Sequence, residues 1–254
     1  MAIKRIGTFG VLFLVLARLV CSQEYHGITG LIQTPSAEAD SAGTFRGNIS
    51  WVDKAMLPNM GSYGDGIPFS APCYTVGISM WSWLQLSYTG TICKMHKNDD
   101  PAQPMGYYNE DRHINLKIRP LKEGKWWPSI AVGWDDAGNL KTLGIKKRLT
   151  SSSLFENVYV AASKHFEIKG NELGAHLSYR YYTYSKNKDR RGVAGGLTVR
   201  PAFFRQLRGI VEWDGIGVNA GADVLLWKRL LIQASLIHGT GFSATIGYHY
   251  KIPF

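Results

Sequence analysis

The chain has 254 residues, of which 45% are hydrophobic and 12% aromatic, with 28 glycines and a formal charge of +10. That length holds one large β domain or two small ones, and the aromatic and glycine content suits turn-rich β structure, but composition excludes neither a protein core nor lipid as the surroundings of the apolar faces. The charge narrows the partner classes to nucleic acid or an anionic membrane surface.

The N-terminus speaks to the compartment. Lys4 and Arg5 precede an apolar run from Ile6 to Val20, interrupted late by Arg18. This is the layout of a secretory signal peptide over residues 1–22, with Val20 and Ser22 at the −3 and −1 positions and cleavage before Gln23. Cys21 keeps a lipidated alternative open. Past this run, no apolar stretch approaches the ~18–20 residues of a helical span, so an exported chain is either soluble or a β-barrel. Export also argues against nucleic acid.

Residues 23–43 carry no clear alternation. Pro35 and the polar run Ser36 to Ala42 read as an ordered loop, which either enters the periplasmic mouth as a partial plug or serves as a flexible tether.

From residue 44 onward, alternation recurs. Phe45, Gly47, Ile49 and Trp51 oppose Arg46, Asn48 and Ser50. Tyr74, Val76, Ile78 and Met80 oppose Thr75, Gly77 and Ser79; in LQLSYTGTIC, Leu84, Leu86, Tyr88 and Ile92 oppose Gln85, Ser87, Thr89, Thr91 and Cys93. Ile114, Leu116 and Ile118 oppose His113, Asn115, Lys117 and Arg119, and Ile130, Val132 and Trp134 oppose Ser129, Gly133 and Asp135. Leu173, Leu177, Tyr179 and Tyr181 oppose His176, Ser178 and Arg180; Phe242, Ile246, Tyr248 and Tyr250 oppose Ser243, Thr245, His249 and Lys251. Less regular runs lie near 156–166, 193–200, 207–214, 216–226 and 230–238. About twelve strands result, most near the ~9–11 residues that cross a bilayer when tilted.

The links sort by parity. Those after the first, third and fifth strands (54–72, 95–111, 136–153) are long, whereas those after the even strands are short. This pattern predicts an all-β, transmembrane antiparallel barrel over 44–254, with long loops outside and both termini in the periplasm. Trp81, Trp83, Trp126, Trp127, Phe203, Phe204 and Trp227 mark one aromatic girdle, and Tyr181, Tyr182 and Tyr184 the other. The terminal Phe254 resembles a barrel-assembly signal.

On this model the polar parity lines a lumen: Arg46, His113, Asn115, Lys117, Arg119, His176, Ser178, Arg180, Arg208, Glu212, His249 and Lys251. Its charges are mostly basic, with Asp135, Glu212, Asp214 and Asp223 opposing. Either a salt-bridged filling or an anion-preferring conduit satisfies this pattern. The basic runs at 146–148 and 186–191 fall in outside loops, facing the phosphates and acidic sugars of lipopolysaccharide or capsule. Expected partners are therefore outer-membrane lipid, lipopolysaccharide and anionic polysaccharide, with periplasmic export lipoproteins.

Chemistry is sparse. His176 and Ser178 share a face and could form a nucleophile–base pair of a lipid hydrolase, but no G-x-S-x-G elbow is present, and a lumen hydrogen-bond network is the favoured reading. Asp99, Asp100, Glu110 and Asp111 lack the spacing of a calcium loop, and no Cys/His spacing suits zinc. The chain is thus expected to be no enzyme and to need no cofactor or metal. Cys73 and Cys93 are expected to bond: a three-residue turn, Ser82 to Leu84, sets Trp81 opposite Gln85 and Cys73 opposite Cys93. Two free thiols are the competing outcome, since a two-residue turn shifts the register.

The segments GLIQTPSAEADSAGTFRG, LKEGKWWPSIAVG, YVAASKHFEIKGNELGAHLSYRYY and VNAGADVLLWKRLLIQASL resemble the YjbH-type outer-membrane proteins, in the short form found in Bacteroidetes. The stretches Gly30 to Ala37 and Lys122 to Pro128 are the most specific. The resemblance implies an outer-membrane barrel linked to exopolysaccharide production or export and offers no catalytic motif. It leaves a small-solute porin as the alternative function.

Overall fold

The computed structural model describes residues 23–58, 69–137, 154–183 and 185–252. The expected leader with its expected cleavage site and Cys21, the 146–148 run, Tyr184 and Phe254 lie outside these residues.

Twelve antiparallel strands close on themselves. They are β1 (Thr44–Val52), β2 (Ala71–Trp81), β3 (Leu84–His96), β4 (Met105–Leu121), β5 (Ser129–Asp135) and β6 (Asn157–Ile168). β7 (Asn171–Tyr182), β8 (Gly192–Arg200), β9 (Leu207–Trp213), β10 (Val218–Leu226), β11 (Leu230–Ile237) and β12 (Gly241–Lys251) follow. Each strand pairs with its sequence neighbour, and β1 meets β12, with Thr44 opposite Lys251, to abolish both edges. Closure pairs the backbone polar groups within the wall, the condition for a sheet to sit in hydrocarbon.

Period-two patterning assigns the two faces. Ile49, Leu177 and Leu197 project outward at 66, 58 and 65% exposure, whereas Arg46, Asn48 and Ser50, which alternate with Phe45, Gly47, Ile49 and Trp51 in β1, are buried inside. An apolar outer belt of this extent calls for lipid as its solvent. Trp81, Trp83, Trp126, Trp127, Phe203, Phe204 and Trp227 are all exposed at the short-turn end. At the other end the expected girdle changes membership. Tyr182 turns inward onto Arg180, and Trp51, Tyr107, Tyr108, Trp213 and Phe242 stand exposed there with Tyr181.

The parity of the links holds, with one change. The described parts of the links after β1, β3 and β5 (53–58 and 69–70, 97–104, 136–137 and 154–156) lie at one end, and 82–83, 122–128, 169–170, 201–206 and 227–229 at the other. The second long link is shorter than its sequence suggests, because β3 and β4 continue as a paired ribbon out to His96 and Met105. Lys169 and Gly170 both take positive φ, the two-residue hairpin geometry that follows the natural twist of the strands.

The Cys73–Cys93 bond does not form, and both cysteines are buried. The turn at Ser82-Trp83 is two residues long, with Trp81 opposite Leu84, which shifts the register by one from the expected pairing. A bulge between Ser79 and Trp81 shifts it by one more, so Ser79 faces Gln85 and Cys73 faces Thr91. Two shifts of one restore the inward parity but move the cysteines apart along the ladder. Cys93 faces Asn109 of β4 instead. Denatured without reductant and digested, the chain is expected to yield no Cys73–Cys93 linked peptide by mass. Recovery of a Cys73–Cys93 linked peptide would contradict this register.

Candidate functional site

The lumen is filled by the chain's own N-terminal segment. From Gln23 to Glu38 every residue is buried, and so is Asp40. The segment makes two tight reversals. The first closes with Gly27 N–H donating to Glu24 O at 2.9 Å, and Gly27 adopts φ +83° where a Cβ would strike Thr75. The second closes with Leu31 N–H donating to Thr34 O at 2.9 Å. Without strand pairing along most of its length, the segment's backbone must find side-chain partners, and the inward parity of the wall supplies them.

Glu212 of β9 is one such partner. Its carboxylate accepts the N–H groups of Ile32, Gln33 and Thr34 at 3.1, 2.9 and 3.1 Å, and the Asn219 amide at 2.8 Å. The second reversal thus wraps a wall carboxylate. Opposite, Lys117 Nζ donates to Thr29 O and Ser36 O at 2.7 and 2.9 Å, and also to Thr29 Oγ1. The carbonyl of His26 accepts from Ser87, Thr89 and Asn115 at 2.7, 2.8 and 2.8 Å. His26 Nδ1 lies 3.0 Å from His113 Nε2, and His113 Nδ1 3.1 Å from Asp111.

Ion pairs run across the same boundary. Arg46 meets Asp40 at 2.8 Å, and Arg208 meets Glu38 at 3.3 Å and Asp223 at 2.9 Å. Arg208 also donates to Gly30 O, and Arg180 to Gln33 O and Asp214 O. Tyr25, Leu31 and Ile32 pack with wall residues Val52, Cys73, Ile210 and Ile237, so the lumen has an apolar core as well.

Described residues also cover part of the long-link end. Residues Lys54–Met56 form a 3-10 turn with Met56 and Leu57 buried. Arg190 donates to the carbonyls of Ala55, Met56 and Leu57 at 2.6, 3.2 and 3.0 Å. Gln33 reaches Met56 O at 2.9 Å, tying this cover to the inner segment.

Most expected lumen residues face this segment or its supports. The exceptions are informative. Arg119 is half-buried at the short-turn end, donating to Ser82 O at 2.7 Å. Lys251 is exposed at the rim, where β12 ends. His249 is buried opposite Arg46. The His176–Ser178 pair is not formed: Ser178 Oγ donates to Ala194 O at 3.4 Å, while His176 contacts Ser163 and Thr198 at 2.9 and 3.2 Å. Residues two apart on a strand share a face but are separated by a full pleat. Two of the acidic residues at 99–111 point apart as well: Glu110 pairs with Arg112 outside, and Asp111 with His113 inside.

Sequence reasoning missed Glu38, Asp40, Ser163 and His165. His165 lies between two carboxylates, with Nε2 3.2 Å from Glu38 and Nδ1 2.7 Å from Glu123. Glu123 lies in the β4–β5 link; partial burial raises its carboxyl, but hydrogen bonds from the His165 ring and N–H outweigh this and hold it below the usual range.

Among solved structures, the COG4313 outer membrane channel from Pseudomonas putida F1 is similar over 85% of this chain and 98% of that chain, at 11% identity and a TM-score of 0.35. A curated relative, the "Uncharacterized lipoprotein YjbH" of Escherichia coli (strain K12), is 26% identical over 145 residues, or 56% of this chain and 17% of that protein. The chain thus matches less than a fifth of that relative's length. The family model YjbH, described as exopolysaccharide biosynthesis protein YbjH, matches residues 22–197. With more than half of its length so matched, this chain belongs to the YjbH family.

Proposed function

We propose that this chain serves exopolysaccharide production or export in the outer membrane, as a closed conduit that admits an anionic glycan when its N-terminal segment withdraws. The observation that carries this reading is charge. Residues 23–43 contain Glu24, Glu38 and Asp40 and no lysine or arginine. The wall around them presents Arg46, Lys117, Arg180 and Arg208, all buried. Asp40 on Arg46 and Glu38 on Arg208 occupy the places that uronic or other acidic sugars would take. Family membership supports the glycan class, and the apolar belt supports the membrane. The long links then face outward and the short turns the periplasm. Inward histidine and serine side chains engaged by neighbouring wall groups favour a non-enzymatic role. A small-solute porin fits less well, because residues 23–38 lie buried within the lumen.

Locking the segment tests the proposal. Ala37 N lies 2.9 Å from Ser163 Oγ, so Ala37→Cys with Ser163→Cys, in a background where Cys73 and Cys93 are serine, places two thiols at one junction. Oxidised cells are expected to lose surface polysaccharide and regain it on reduction. Secretion that persists with the lock closed would overturn the conduit.

A further inference from the structure

We propose that Glu38 of the N-terminal segment, His165 of β6 and His176 of β7 form a site for a divalent transition ion of the zinc class, with Glu123 as its outer carboxylate. One ligand atom from each of the three residues lies within 4.8 Å of the others. Two are already at the spacing an ion imposes: Glu38 Oε1 and His165 Nε2 are 3.2 Å apart. Ligands about 2.0–2.1 Å from a tetrahedral zinc stand roughly 3.3 Å from each other. A small inward movement of the His176 ring completes the set.

An ion pair between Glu38 and His165 would account for that contact alone. Three further observations point beyond it. First, Glu123 holds His165 Nδ1 at 2.7 Å and its backbone N–H at 2.8 Å, directing Nε2 at Glu38. A carboxylate on the far nitrogen of a ligating histidine is the recurrent way such rings are oriented and made more basic. Second, Ser163 contacts His176 Nδ1 at 2.9 Å, which leaves Nε2 as the nitrogen aimed at the cluster, with Thr198 at 3.2 Å from it. Third, residue 174, directly opposite His165 in the ladder, is glycine. A Cβ there would stand 2.3 Å from Thr198 Oγ1, 2.7 Å from His176 Nε2 and 3.1 Å from His165 Cδ2. The missing side chain leaves the space on which both rings and the Thr198 hydroxyl converge.

The donor set of two imidazoles and one carboxylate suits zinc, with one position left for water. The ion would displace the proton shared between Nε2 and Oε1, which leaves to solvent. Entry is from the short-turn end, where the His165 and Glu123 side chains keep 23 and 25% exposure. Because Glu38 belongs to the lumen-filling segment and both histidines to the wall, a bound ion would clamp one to the other. This holds whatever the lumen carries.

The test uses the folded barrel in detergent, stripped with chelator and checked for heat-modifiable migration. Zinc is titrated against a chromogenic chelator, and cobalt is followed by its visible absorption. One ion per chain and tetrahedral cobalt bands are expected. His176→Ala and Glu38→Gln should each weaken binding by about tenfold or more, Glu123→Gln by about 10–100-fold, and Ser178→Ala should leave it unchanged. If a variant fails to migrate as a folded barrel, the wild-type stoichiometry and cobalt spectrum decide. Sub-stoichiometric wild-type binding, octahedral cobalt spectra, or equal affinity in a folded His176→Ala chain would overturn the site.

Discussion

Replacing Glu212 with alanine is expected to give a barrel that folds but no longer stays closed. One carboxylate receives three consecutive backbone N–H groups of the lumen segment. Its removal leaves those three donors buried without a partner, at about 1 kcal/mol or more each and so roughly 3 kcal/mol in all. At about 1.4 kcal/mol per tenfold, the undocked segment becomes roughly 10² times more populated. The ladder between β9 and its neighbours is main-chain bonding and does not depend on this side chain. Planar-bilayer recordings should therefore show a silent wild type and an intermittently conducting variant that prefers anions. Protease should cut within residues 23–43 of the variant alone. Glu212→Gln, which keeps one acceptor oxygen, should fall between. A silent and protease-resistant Glu212→Ala barrel would mean that the other contacts hold the segment unaided.

The second large effect concerns the outer face. Ile246 sits mid-strand in β12, flanked by Ile49 of β1 and Ile232 of β11 at the same level. It is 53% exposed, and in water a lysine there would be harmless. In a bilayer the same change costs about 2–4 kcal/mol at the midplane and about 0–1 kcal/mol near the interface. Ile246→Lys should therefore destabilise the vesicle-reconstituted barrel by that larger amount. Trp227→Lys, at the short-turn rim with 79% exposure, should change stability little. Equal, small effects at both positions in denaturant titrations would remove lipid as the solvent of this face.

Parity and register behaved differently. LQLSYTGTIC places its hydroxyl-rich face inward, as its alternation implies, because side-chain direction along a strand is set by each residue's own backbone. The pairing of Cys73 depended on a bulge at Met80 and a two-residue turn, and neither has a residue signature strong enough to read in advance. A single extra residue in one strand shifts every partner beyond it, so a small local irregularity decided a covalent question.

The closed lumen lies between these cases. The inward positions Arg46, Lys117, Arg180, Arg208 and Glu212 follow from alternation; that they hold residues 23–42 does not. GITGLIQTPSAEAD has neither period, since its backbone bonds go to side chains of distant strands rather than to a regular ladder. Likewise Glu38, His165 and His176 are separated by 127 residues at their first step, and no spacing rule links them.

By itself, then, the sequence determined the barrel: the strand count, the faces, and which end bears the short turns. These rest on local steric and solvation preferences that repeat every second residue. The tertiary structure alone decided what fills the lumen, which carboxylates meet which cations, and that the two cysteines stay apart. The cysteines are parted by one turn and one bulge in the β2–β3 hairpin, while the filled lumen and its ion pairs depend on closing β1 onto β12, because only a closed wall confines the segment among residues distant in the chain.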